Sequence, residues 1–117
     1  MRYIKERTFV FAVKCVKLCQ ELEKSENVAR TLTNQLLRSS TSVGANVEEA
    51  HAAQSRADFI SKNAIALKEA RETIYWLRLL QATEISNRHE FTNLQIEATE
   101  ISRILGAIID STKRNAE

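Results

Sequence analysis

Leu32, Leu36, Val43, Val47 and Ala50 fall at the spacing of one helix face, and the middle of that segment is the small, polar run RSSTSVGANVEEA from Arg38 to Ala50. Serine, threonine and glycine are weak helix formers, so only packing against other elements can keep such a stretch helical. The regular apolar interval, with Ser40 in the slot between Leu36 and Val43, counts against a flexible serine-rich linker. Small side chains also let a second backbone come close. Asn46, Glu48 and Glu49 then stand beside that contact, where polar groups have to be satisfied. This feature demands a helix packed on helices.

The remaining punctuation agrees. The chain has no proline and two glycines, Gly44 and Gly106, so turn-rich β architectures lack their usual breakers. Its 117 residues suit one domain, residues 1–117, with a core of its own. A first helix is expected from about Tyr3 to Glu23, a second from Val28–Arg30 onward with Thr31 or Asn27 as cap, after the polar break Lys24–Asn27. Ser55, three residues before Asp58, forms a capping box for a third helix to about Thr83. Asn87 with Glu90 would open a fourth, fraying from Thr112. Ile60, Asn63, Leu67, Ala70, Ile74 and Leu77 give the third helix its inward stripe; Leu94, Ala98, Ile101, Leu105 and Ile108 give the fourth its own. The expected fold is all-α, an antiparallel up-and-down four-helix bundle.

The first helix has two apolar faces. Phe11, Cys15, Leu18 and Leu22 line one, while Phe9, Val13 and Val16 lie nearly opposite. A surface helix of a monomer needs one such face, so the second predicts burial against another copy of the protein; the alternative is a flank of the internal core. Cys15 and Cys19 read as small packing residues, since no second pair completes a zinc site. No apolar run reaches membrane-spanning length and the N-terminus lacks a signal-peptide layout, so a cytoplasmic protein without a membrane partner is expected.

The run LLRSSTSVGANVEEAHAAQSRADFISKNAIALKEARETIYWLRLL, Leu36–Leu80, resembles the signature of the four-helix-bundle proteins first described as encoded in 23S rRNA intervening sequences, with weaker similarity over most of the rest. The resemblance extends to the accessory protein of diversity-generating retroelements. It implies a homopentameric ring of bundles with a basic surface that works with a reverse transcriptase and its template RNA, and it brings no catalytic residues and no cofactor. Asn46, Glu48, Glu49, Glu69 and Glu72 match the motif as packing positions.

Three constellations could carry chemistry. Lys68, Arg71, Tyr75 and Arg78 share one face of the third helix, with cations for phosphates and a ring for an unpaired base; Arg38, Lys14 and Lys17 would extend the patch if their helices are neighbours. A net charge of +2 makes a solvated, salt-bridged face the plain alternative. Glu48 and His51 form one Glu-x-x-His unit, but di-iron bundles need two, and His89 lacks a glutamate three residues earlier, so no metal is expected. Glu48, Glu49, Glu69 and Glu72 could do acid–base chemistry, yet a structural network with Asn46, hydroxyls or an arginine such as Arg71 is favoured. The expectation is a non-enzymatic, homo-oligomeric scaffold that contacts RNA or DNA; the rival is an adaptor for a protein encoded nearby.

Overall fold

The computed structural model describes residues 2–22, 27–83 and 88–115. Four helices account for nearly all of them: α1 (Arg2–Leu22), α2 (Asn27–His51), α3 (Arg56–Thr83) and α4 (His89–Asn115). Each helix packs on its chain neighbours and α4 closes back on α1, while the diagonal pairs α1/α3 and α2/α4 have no close backbone approach among the described residues and meet only through the shared core. Contacts between chain-distant ends fix the directions. Lys5 near the start of α1 reaches Glu48 near the end of α2, Lys62 of α3 reaches Glu49, and Arg56 at the start of α3 donates to the Asn115 carbonyl at the end of α4 (3.2 Å). The bundle is therefore antiparallel and up-and-down, 51 × 20 × 20 Å. No described helix is long and apolar enough to cross a membrane.

The inward faces of α1 and α4 are those the spacing predicts. Phe11, Cys15, Leu18 and Leu22 are buried, as are Leu94, Ala98, Ile101, Leu105 and Ile108, and Ile4 and Phe91 extend the two rows. The centre of α3 differs from its expected stripe. Its buried line is Asn63, Ala66, Glu69, Ala70, Thr73, Leu77 and Leu80, whereas Ile60, Leu67 and Ile74 are half-buried on one flank. The cause lies on α2, whose small run turns Ser39 toward α3 and Ser40 and Gly44 toward α1. Small side chains bring the helix axes together, and the partner residues that fit deepest are themselves small.

Local signals fare according to their range. The Ser55 hydroxyl accepts from the Asp58 backbone N–H (3.0 Å), and α3 starts beside it. Thr31 lies a turn inside α2 and so is no cap, while Asn87 and the side chain of Asn27 lie outside the described residues. Helix α4 runs on to Asn115 where fraying from Thr112 is expected, because Lys113 and Arg114 complement its C-terminal dipole and Arg56 caps the last carbonyl.

Candidate assembly and nucleic-acid interfaces

The outward side of α1 carries several exposed apolar residues, interspersed with Glu6 and Lys17. Phe9 is 67% exposed, Tyr3 66%, Val10 50% and Val13 37%, values that place them outside the core altogether. Val16 is half-buried and carries the stripe into the groove between α1 and α2, where it lines a hollow with Cys19, Thr33 and Leu37. Exposed apolar residues scattered singly are ordinary, whereas a row on one helix makes this face a candidate contact surface. Helix α4 adds Ile96, 57% exposed, beside a second hollow of about 610 Å³ that it shares with Ile74, Thr92, Thr99 and Ile104. Ile96 was legible in principle, since it falls two residues past inward Leu94 and off the phase of the α4 stripe.

The cations divide into two groups. Arg7 of α1 binds Glu97 of α4 through two parallel hydrogen bonds (2.7 and 2.8 Å) and also Glu100 (2.8 Å). This bidentate clamp holds the Glu97 carboxyl below the usual carboxylate range and raises the pKa of Arg7, an effect due first to the hydrogen bond between them. Arg38 of α2 reaches both Glu69 (3.2 Å) and Glu72 of α3. Glu72 is depressed as well, first by the Trp76 indole N–H that donates to it (2.9 Å) and then by Arg38. Against these, Lys68, Arg71 and Arg78 make no ion pair among the described residues, and with Tyr75, 53% exposed, they form an open strip on α3. The Tyr75 ring stands edge-on to Trp76 with centroids 5.2 Å apart.

Two corrections to the expected patch follow from topology. Lys14 and Lys17 cannot join the α3 strip, because α1 and α3 sit diagonally and Lys14 lies toward α4, where its charge helps keep Glu97 ionised. Arg38 is on a neighbouring helix but its side chain, 47% exposed, is already paired with two carboxylates of α3. The expected carboxylate network also splits. Glu48 goes to Lys5 (3.3 Å), Glu49 to Lys62 (2.9 Å), and only Glu69 and Glu72 are gathered by one arginine, which is Arg38 and not Arg71. Asn46 takes no part: its amide donates back to the Ser42 carbonyl (2.9 Å) and hydroxyl (3.0 Å) of its own helix.

His51 sits at the end of α2 with Nδ1 2.9 Å from the Val47 carbonyl and its ring edge-on to Phe59. Among the described residues no three His, Cys, Asp or Glu side chains converge as a metal would need. Burial pushes the Cys15 thiol up to about 12 and Cys19 up to about 11, so both stay protonated packing groups.

The family model described as "23S rRNA-intervening sequence protein" matches residues 3–107. Among solved structures, a protein of unknown function from the S23 ribosomal protein family of Bacteroides thetaiotaomicron is 48% identical and superposes with a TM-score of 0.82, over 91% of this chain and 97% of that one. No curated protein matches.

Proposed function

The chain belongs to the 23S rRNA-intervening sequence protein family, and on that premise we propose that it is a non-enzymatic scaffold, a self-assembling ring of bundles that takes up single-stranded RNA along α3. The outward stripe of α1 carries this reading. Burying one phenylalanine contributes about 1.5–3 kcal/mol, so Phe9 and its neighbours offer several kcal/mol per contact toward the cost of association. A closed ring of five, the state implied by the family resemblance, satisfies this stripe on every copy. The α3 strip supports the nucleic-acid part, with three cations that form no ion pair within salt-bridge distance among the described residues and an exposed ring for a base. Repeating a weak strip around a rigid ring raises avidity by effective concentration, without high charge on each subunit. Glu48, Glu49, Glu69 and Glu72 each form a cross-helix ion pair, which suits a scaffold.

Light scattering combined with a salt titration tests both parts. The expected result is a mass several times that of the 13.3 kDa chain, together with binding to a labelled single-stranded RNA that weakens steeply with salt. A monomer would sink the assembly and leave the α1 stripe to a different protein. An oligomer that ignores RNA at low salt would leave the adaptor reading in place of the RNA one.

A further inference from the structure

We propose that the groove between α3 and α4 takes the bases of the RNA, seating them between the Tyr75 ring and a rung of two glutamine amides while Arg78 and Arg103 meet the phosphates from opposite walls. This rests on the RNA reading of the α3 strip and deepens it, turning a row of cations on one helix into a two-sided groove. Tyr75 and Arg78 stand on the side of α3 that borders α4, where they line a hollow of about 350 Å³ with Gln81 and Gln95. At ~30 Å³ for each liquid water, that is the space of about a dozen waters, enough for a planar base. Gln95 also lines the hollow of about 610 Å³ that Ile96 and Arg103 border, so the two hollows join into one groove along the helix pair.

Its polar groups are ordered but not used up. The Gln95 amide donates to the Gln81 side-chain carbonyl (2.8 Å), and the Gln81 amide donates to the Thr92 hydroxyl (2.8 Å). Each amide has two N–H hydrogens and a carbonyl oxygen, so this rung spans the groove and spends only part of what the two side chains offer. Amides of this kind read the edges of unpaired bases, and an exposed ring stacks on their faces. Tyr75 is 53% exposed and held edge-on against Trp76, which fixes the ring while leaving it open, and Ile96, 57% exposed, gives the groove an apolar flank. Phosphates alone would need neither ring nor rung.

The charge suits a nucleic-acid strand. Arg78 and Arg103 form no ion pair within salt-bridge distance among the described residues. The one carboxylate lining either hollow, Glu100, is already bound by Arg7 (2.8 Å). Because α3 and α4 run antiparallel, Arg78 and Arg103 both lie beyond the rung in the same direction. At 1.5 Å per residue they stand about 4.5 Å and about 12 Å along the groove, so they meet different phosphates of one strand.

Fluorescence anisotropy with two probes tests this: a short labelled RNA of mixed sequence, and a labelled oligomer of the same length whose tetrahydrofuran units keep the phosphates and carry no bases. The wild type should bind the RNA at least about fivefold more tightly than the base-free oligomer, a ratio set by stacking. Gln95→Met, which keeps the stem and removes the amide, should lower RNA affinity about two- to tenfold at every salt concentration and leave the base-free oligomer unaffected. Arg103→Ala should weaken both probes and reduce the salt slope by roughly 0.7. Circular dichroism checks that the variants keep the wild-type helix content, and Gln81→Met removes the rung from the α3 wall if Gln95→Met does not fold. Equal wild-type affinity for the two probes, or unchanged RNA binding in either variant, overturns the groove and leaves the α3 strip as a surface for phosphates alone. A wild type that ignores RNA at low salt would instead remove the RNA reading itself.

Discussion

A Cβ added to Gly44 of α2 would lie 3.4 Å from the Thr8 carbonyl oxygen of α1, a close approach of the two helices at a small residue. Gly106 of α4 is the opposite case, with nothing within 4 Å of an added Cβ. Gly44→Leu should therefore overpack the α1/α2 contact and cost about 1–3 kcal/mol. Gly106→Ala should stabilise by about 1 kcal/mol, since only the helix penalty of glycine is removed. Urea midpoints for the two variants should move in opposite directions. Ala45, next along the chain, is exposed and should tolerate leucine.

The buried hydroxyls of Ser39 and Thr73 lie 2.9 Å apart across the α2/α3 contact, and Thr73 is also 2.8 Å from the Glu69 carbonyl. Each hydroxyl has one proton, so when Thr73 donates to the carbonyl Ser39 supplies the proton between them. Ser39→Ala and Thr73→Val should each cost about 1 kcal/mol, because either leaves a buried polar atom short of a partner. The double variant should cost clearly less than the two summed. Strict additivity in a denaturation cycle would mean that the hydroxyls act independently.

Arg7 and Glu97 tie α1 to α4, the seam along which the described helices meet least. The folded-state pKa of Glu97 lies below its ordinary 4.5, so the pair stabilises above that value and its contribution disappears as pH falls through the folded pKa. The destabilisation caused by Arg7→Met should accordingly be largest near neutral pH and shrink between about pH 5 and pH 2. Urea melts of both proteins across that range give the comparison. A constant difference would show that Arg7 acts through packing of its stem alone.

How far the fold can be read before any coordinates depends on the distance over which each residue finds its partner. The rows Phe11–Leu22 and Leu94–Ile108 are long aliphatic and aromatic side chains at helical intervals, and Ser55 caps a backbone three residues away; both signals are local. Ala66 and Thr73 carry little hydropathy, so nothing in α3 alone marks them as its buried line, and only the small side chains of α2 decide it. Arg38 finds Glu69 and Glu72 at separations of 31 and 34 residues, a pairing set by helix register that no interval within one helix reveals. For the candidate interfaces, Phe9 and Val13 announce themselves by sitting opposite a complete inward stripe. Lys14 and Lys17 mislead because their helix lies diagonally from α3, a fact of topology.

The α3 strip makes a quantitative claim about salt. Each cation that neutralises a phosphate of single-stranded nucleic acid contributes roughly 0.7 to the slope of log affinity against log salt. Removing Lys68, Arg71 and Arg78 together should reduce the slope by about 2 for each strip engaged. Lys62 is the control, since it is already paired with Glu49 and its replacement by alanine should leave the slope alone. Tyr75→Ala should act differently: stacking is worth about 1–3 kcal/mol per base and releases no counterion, so affinity should drop by about fivefold to a hundredfold at every salt concentration with the slope unchanged. Fluorescence anisotropy with a short labelled RNA resolves slope from intercept. An unchanged slope in the triple variant, or an equal loss in Lys62→Ala, would mean that RNA is held by charge elsewhere on the bundle.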